Sequence, residues 1–260
     1  MTSHPDAALT STFTRVGELT LHAEVAGPVG GRPMVMVPGL AVSTYLRPTQ
    51  RALAVDGWRV WRLDLPGYGR SPRPPRSWRS WRRVDLVDLA DLTADWLDAV
   101  GVPSVDLLGH SMGTQVGAHV AARHADRVRG LVLAGPVVDP AYPRAWRLAL
   151  RWLRDAGHEP PSLLARQAPE WLRTGPRRVA ATMAATLRDP FPETLDAVRS
   201  PVLVVRGRHD RLSTPSWARS LADGPGRTYV EVAGAHCGPY ALPREYARVI
   251  GARLRDVPAG

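Results

Sequence analysis

The sequence predicts an α/β fold: a mostly parallel sheet flanked by helices, with a small helical insertion between two of its strands. Three observations predict it. Short apolar runs recur along the chain, helical periodicity lies between several of them, and residues 139–200 carry helical patterning alone. A chain of 260 residues suits one such domain, because folding at this size buries roughly 70 to 75% of the unfolded surface.

FTRVGELTLHAEVAG (13–27) alternates apolar and polar residues, as a half-exposed hairpin does, and PVGGRP then breaks the alternation. MVMV (34–37), WRVWRLD (58–64), VDLLG (105–109), GLVLAG (130–135) and VLVVRG (202–207) are continuous apolar runs suited to strands buried on both faces. Between them, residues 84–101 set Leu86, Leu89, Leu92, Trp96, Leu97 and Val100 along one side of a helix. Three helical stretches follow within 139–200, at 142–157, 161–175 and 177–189. The domain division expected is therefore a core of 1–138 and 201–260, with 139–200 as an inserted helical cap packed on it.

Composition is that of a globular protein, with 44% hydrophobic and 22% charged residues. The formal charge of +10 invites nucleic acid as a partner, but all 34 basic residues are Arg; there is no Lys or Asn, and Ile250 is the one isoleucine. Those absences all remove AT-rich codons, so a GC-rich genome accounts for the arginine without a polyanionic ligand. The densest basic stretch, 70–83, carries Trp78 and Trp81 among its arginines and precedes an acidic helix that can neutralise it. Arg144, Arg147, Arg151 and Arg154 recur at helical spacing beside Trp146, Leu150 and Leu153; this suits a basic amphipathic surface helix or a cap packed over a site. The N-terminal stretch lacks the basic and apolar regions of a secretory signal, and no run is long enough to cross a bilayer, so a cytoplasmic location is expected. Cys237 has no second cysteine to pair with and no ligand cluster around it, and no metal or organic cofactor is expected.

Gly109-His110-Ser111-Met112-Gly113 matches G-x-S-x-G between an expected strand and an expected helix. In that context the serine occupies a strained turn that exposes its hydroxyl at a helix N-terminus, a site suited to developing negative charge. A serine needs a base and a carboxylate to become a nucleophile. Asp210 stands in the turn after VLVVRG, and His236 in the loop after TYVEV; Asp139, after the preceding strand, is a rival for the acid.

With Asp64-Leu65-Pro66-Gly67-Tyr68-Gly69-Arg70-Ser71, which resembles a D-x-P-G-x-G-x-S turn, these motifs resemble those of the α/β-hydrolase fold family. The branch is that of small serine hydrolases, including esterases and lactonases, and the likeness runs from about residue 13 to the C-terminus. It implies an eight-stranded sheet, a cap at 139–200, Asp210 as the acid, and an oxyanion hole made by the backbone N–H groups of Leu40 and Met112. The departure is Val37-Pro38-Gly39-Leu40, with proline where the family commonly has histidine. Haloalkane and epoxide hydrolysis by the usual family route are disfavoured, because they place an aspartate where Ser111 stands.

The expected chemistry is acyl transfer from a small hydrophobic carboxylic ester or lactone, with Ser111 as nucleophile, His236 as base and Asp210 as its orienting acid. Tyr45, Trp146, Trp152, Leu163, Trp171 and Met183 are candidates for the apolar pocket. Carbon–carbon bond hydrolysis of a diketone-type substrate is the chemical rival, and a non-catalytic ligand-binding or basic surface-binding role is the alternative from another class. The partner expected is a small-molecule substrate, with no nucleic acid and no stable membrane insertion; a homodimer is left open.

Overall fold

A computed structural model of the chain describes residues 8–78, 83–141 and 144–255, so Trp81, within the arginine-rich loop, lies outside the described residues. The elements run β1 (Thr10–Val16), β2 (Leu19–Ala26), β3 (Arg32–Val37), α1 (Arg47–Val55), β4 (Trp58–Asp64), α2 (Leu86–Ala99), β5 (Val105–His110), α3 (Gly113–Arg123) and β6 (Val128–Ala134). Four helices follow: α4 (Ala145–Ala156), α5 (Pro161–Thr174), α6 (Pro176–Arg188) and α7 (Phe191–Asp196). The chain then completes β7 (Val202–Gly207), α8 (Pro215–Leu221), β8 (Arg227–Val232), α9 (Gly238–Ala241) and α10 (Pro243–Leu254).

The eight strands form one sheet in the order β1-β2-β4-β3-β5-β6-β7-β8. β1 and β2 form the expected hairpin, β2 also pairs antiparallel with β4, and every later pairing is parallel. The order reverses around β3, which lies between β4 and β5. The chain leaving β3 and the chain leaving β5 therefore depart on either side of a crevice at the strands' carboxyl ends, where ligands bind in open α/β sheets.

Side-chain alternation divides the core in two. Val35, Val37, Leu107, Leu131, Leu133 and Val204 pack on one face with α2 and α3, while Met34, Met36, Leu108, Val132, Leu203 and Val205 pack on the other with residues of α1 and α10. The stripe on α2 is realised, with Leu86, Leu89, Leu92, Trp96 and Leu97 buried, and Asp85 caps the helix by accepting from Val87 N–H at 2.9 Å.

The turn after β4 is a polar knot. The Asp64 carboxylate accepts from the amide of Arg70 (2.8 Å), contacts His22 Nδ1 (2.8 Å) and Arg62 Nη1 (3.0 Å), and also accepts from the Ser43 hydroxyl. Ser71 Oγ donates to Asp64 C=O at 2.6 Å and accepts from His22 N–H at 2.8 Å, tying the turn to β2. Burial opposes ionisation of Asp64, but the His22 hydrogen bond and the Arg62 guanidinium hold its pKa below the usual value. Gly69 has φ +50°, and a Cβ there would overlap the Asp64 carboxylate. Gly69→Ala is expected to destabilise the fold by about 2–4 kcal/mol. Urea denaturation checks this, and an unchanged midpoint would show that the knot yields without cost.

Candidate active site

The elbow explains both glycines of GHSMG. Ser111 follows β5 immediately, with only Met112 before α3, and has φ +56°, a left-handed conformation that non-glycine residues seldom adopt. A Cβ on Gly109 would overlap the carbonyl of Gly113, and one on Gly113 would overlap that of Val37 and come within 2.6 Å of that of Pro38. Glycine at both places lets the strand, the turn and the loop after β3 approach backbone to backbone. Ser111 N–H donates to Ala134 C=O on β6 (2.9 Å), and its C=O accepts from both the amide (3.0 Å) and the hydroxyl (2.6 Å) of Thr114.

His236, in the loop after β8, contacts Asp210 Oδ2 through Nδ1 at 2.9 Å, and both residues are buried. The other oxygen of Asp210 accepts from the amides of Leu212 and Ser213, each at 2.8 Å. Asp139 is engaged elsewhere, accepting from Ala141 N–H (2.8 Å) and Thr214 Oγ1 (2.5 Å). Gly135, with φ +57°, brings its backbone beneath the pair; a Cβ there would stand 3.1 Å from His236 Nδ1 and 3.2 Å from Asp210 Oδ2. Burial disfavours the His236 imidazolium, but the Asp210 charge and hydrogen bond outweigh it, with help from Asp155 and Glu159, and raise the pKa to about 9. Burial likewise works against Asp210, yet the facing imidazole and its amide donors hold its carboxyl below the ordinary range.

His110 does more than fill space in the elbow. Burial, then the neighbouring His236, lowers its pKa to about 3, so the ring is neutral. Its Nε2 lies 2.9 Å from His236 C=O, which can only accept, so Nε2 carries the proton and Nδ1 accepts from Tyr45 O–H at 2.7 Å. The Tyr45 oxygen in turn accepts from Gly39 N–H at 2.8 Å. One hydrogen-bonded chain thus joins the loop after β3, the elbow and the backbone of His236.

Ser111 and His236 line one cavity of about 280 Å³, together with Gly39, Leu40, Tyr45 and Met112 from the core side and Leu148, Trp152, Trp171 and Met183 from α4, α5 and α6. Trp152 and Trp171 meet edge to face with ring centroids 5.6 Å apart. Trp171 Nε1 donates to Leu40 C=O (3.0 Å), and Glu170 accepts from the amides of Ser43 (2.9 Å) and Thr44 (3.3 Å). Helix α5 thereby fixes the loop that carries Leu40.

Four of the expected pocket residues, Tyr45, Trp152, Trp171 and Met183, reach this cavity. Two do not. Leu163 is buried in the core on the α1 and α10 side of the sheet, and Trp146 is 58% exposed on the outer surface of α4. Leu150 and Leu153 are exposed beside Trp146, while α4 buries Leu148 and Asp155 and lays the half-exposed Trp152 along the cavity wall. His209 stacks on His158 away from the cavity. Cys237, for which no role is expected, is buried in the cavity wall, where burial and the nearby carboxylates push its thiol well up. No signal in sequence marks Asp155, Glu159 or Glu170, whose backbone-amide partners are all distant in the chain.

Residues 32–181 match the family model described as the alpha/beta hydrolase fold. The chain belongs to the α/β-hydrolase fold family. Among curated relatives, a haloalkane dehalogenase of Mycobacterium marinum is 30% identical over 65% of this chain and 58% of its own length. The chain thus spans little more than half of that relative. A 2-hydroxymuconate semialdehyde hydrolase of Pseudomonas sp. strain CF600 is 26% identical over 84% of each chain. The solved enol-lactonase of Burkholderia xenovorans LB400 superposes with a TM-score of 0.75 at 21% identity, covering 94% of this chain and all of the other, a likeness of fold. Among the described residues no helix is long and apolar enough to cross a membrane.

Proposed function

We propose that this α/β-hydrolase fold protein is a serine hydrolase that cleaves a small hydrophobic carboxylic ester or lactone through an acyl-enzyme. The observation that carries this reading is the shared cavity: a serine on a left-handed elbow and a histidine bonded to a buried carboxylate open into the same apolar space. Ser111 Oγ attacks the carbonyl carbon while His236 Nε2 takes its proton; the imidazolium then gives that proton to the departing alkoxide oxygen. Water, deprotonated by the same nitrogen, cleaves the acyl-enzyme and returns the hydroxyl to Ser111. The N–H groups of Leu40 and Met112, both on the cavity wall, are the proposed oxyanion donors. Residues 139–200 serve as the cap on a core of 1–138 and 201–260.

A cavity of about 280 Å³ suits an acyl or aryl group of modest size. Carbon–carbon bond hydrolysis is the second reading, supported by the 2-hydroxymuconate semialdehyde hydrolase that aligns over 84% of each chain at 26% identity. The lining argues for the ester: among the described residues it is mostly apolar and contains no arginine to receive an anionic diketone acid. Haloalkane hydrolysis is not favoured, since Ser111 stands where the family's usual route requires an aspartate.

The test is labelling with a fluorophosphonate probe, followed by a panel of p-nitrophenyl esters, lactones and 1,3-diketones. Labelling of the wild type that disappears in Ser111→Ala, with turnover greatest among the esters or lactones, is the expected result. An unlabelled wild type would sink the serine mechanism, and preference for diketones would replace the ester reading with the second.

A further inference from the structure

Asp155 lies on the last turn of α4, in the segment between β6 and β7, yet its carboxylate is buried against the loops that carry Asp210 and His236. One oxygen accepts from the amide of Arg211, the residue after Asp210, at 2.9 Å. The other accepts from the amide of His236 itself at 3.3 Å. Glu159, just beyond α4, accepts from the amide of Cys237 at 2.5 Å. Two consecutive amides of the His236 loop are therefore held from one short stretch of the helical segment.

We propose that Asp155 is a positioning residue for the base of this site: its carboxylate bridges the two loops that bear the acid and the base. The proposal rests on the serine-hydrolase reading for its catalytic consequence. The bridging itself stands on the hydrogen bonds. A carboxylate is suited to the task because both oxygens accept, whereas an amide in its place turns an NH2 toward one of the two backbone N–H groups.

Titratable and charged groups face the imidazole of His236 from the elements packed around it, and against the effect of burial Asp210, Asp155 and Glu159 raise its pKa. Asp210 contacts it directly, Asp155 and Glu159 approach from the α4 side, His110 lies with its ring centroid 4.9 Å away, and Cys237 adjoins it. Arg206 engages the backbone carbonyl of Asp210 at 2.9 Å and the Glu231 carboxylate at 2.9 Å. Burial drives the pKa of Asp155 up and the His236 charge pulls it down; burial brings that of Glu159 up to about 7. In the range near 9 where His236 titrates, Glu159 is ionised and both carboxylates favour the imidazolium. Removing either negative charge lowers the His236 pKa, so the acid limb of any reaction that needs the neutral ring moves to lower pH.

The experiment follows the His236 imidazole by NMR as a function of pH in the wild type, Asp155→Asn and Glu159→Gln, with the signal assigned by its loss in His236→Gln. In parallel, the rate of fluorophosphonate labelling is measured across the same pH range. In Asp155→Asn the His236 pKa is expected to fall by about one unit, and labelling at the high-pH plateau to fall on the order of tenfold as the base weakens and its loop loses an anchor. Glu159→Gln is expected to give a smaller fall of the pKa in the same direction, and it tests the charge coupling if Asp155→Asn does not fold. An unshifted His236 titration in the folded variants overturns the proposal, as does slower labelling with an unmoved pH profile, which marks a merely structural contact. A wild type that never reacts with the probe removes the serine-hydrolase reading, while the NMR titration still decides whether Asp155 acts on His236.

Discussion

Ser111→Ala is expected to lower turnover of the best ester by about a million-fold while leaving the fold intact. The first half follows from chemistry, since in the proposed mechanism Oγ forms the new bond, and the neighbouring hydroxyl of Thr114 is engaged with Ser111 C=O. The second follows from how the residue is held. Ser111 is held through its backbone, to Ala134 C=O on one side and from Thr114 on the other, and truncation at Cβ leaves these bonds in place. Steady-state hydrolysis and the thermal midpoint are the measurements. A residual rate within about tenfold of the wild type would falsify the nucleophile assignment, because the oxyanion donors and binding alone supply only a small part of the acceleration.

What could be read from sequence is what is encoded locally. The elbow places its glycines, its strained serine and its helix start within five consecutive residues, and the central strands β5 and β7 are short runs buried at every position. Asp210 stands just past the buried run of β7, and His236 just past β8, a half-buried edge strand that is also locally readable. Helix α1 was not: it buries Thr49 and Gln50 beside Leu53 and Ala54, so no apolar stripe announces it. The rotation of α4 was also hidden. That helix carries Leu148 and Trp152 on one side and Trp146, Leu150 and Leu153 on another, and periodicity alone does not say which side turns inward. The buried carboxylate of Asp155 lies on the inward side with Leu148 and Trp152, but the amides it meets belong to residues 211 and 236, beyond the reach of a local pattern.

Asp210→Asn is expected to cost about 10⁴-fold in turnover, and the structure shows why the nearly isosteric change is so severe. Asp210 Oδ1 accepts from two amides, those of Leu212 and Ser213, at 2.8 Å each. An amide side chain keeps both bonds only by placing its carbonyl oxygen there, which turns its NH2 toward His236 Nδ1. That nitrogen must then accept, so the ring proton moves to Nε2, the atom proposed to take the proton of Ser111. The loss of charge works in a separate direction: without Asp210 the His236 pKa falls from about 9, so the fraction of neutral imidazole at pH 7 rises even as the rate collapses. A base made more available and yet less active is the signature of the wrong tautomer, and imidazole ¹⁵N shifts read the tautomer directly. Asp139→Asn serves as the comparison, since the carboxylate of Asp139 is held by Ala141 and Thr214. Its turnover is expected to stay within about threefold of the wild type, in line with a residue that does not support the base. A collapse in Asp139→Asn with Asp210→Asn unimpaired would exchange the roles of the two aspartates.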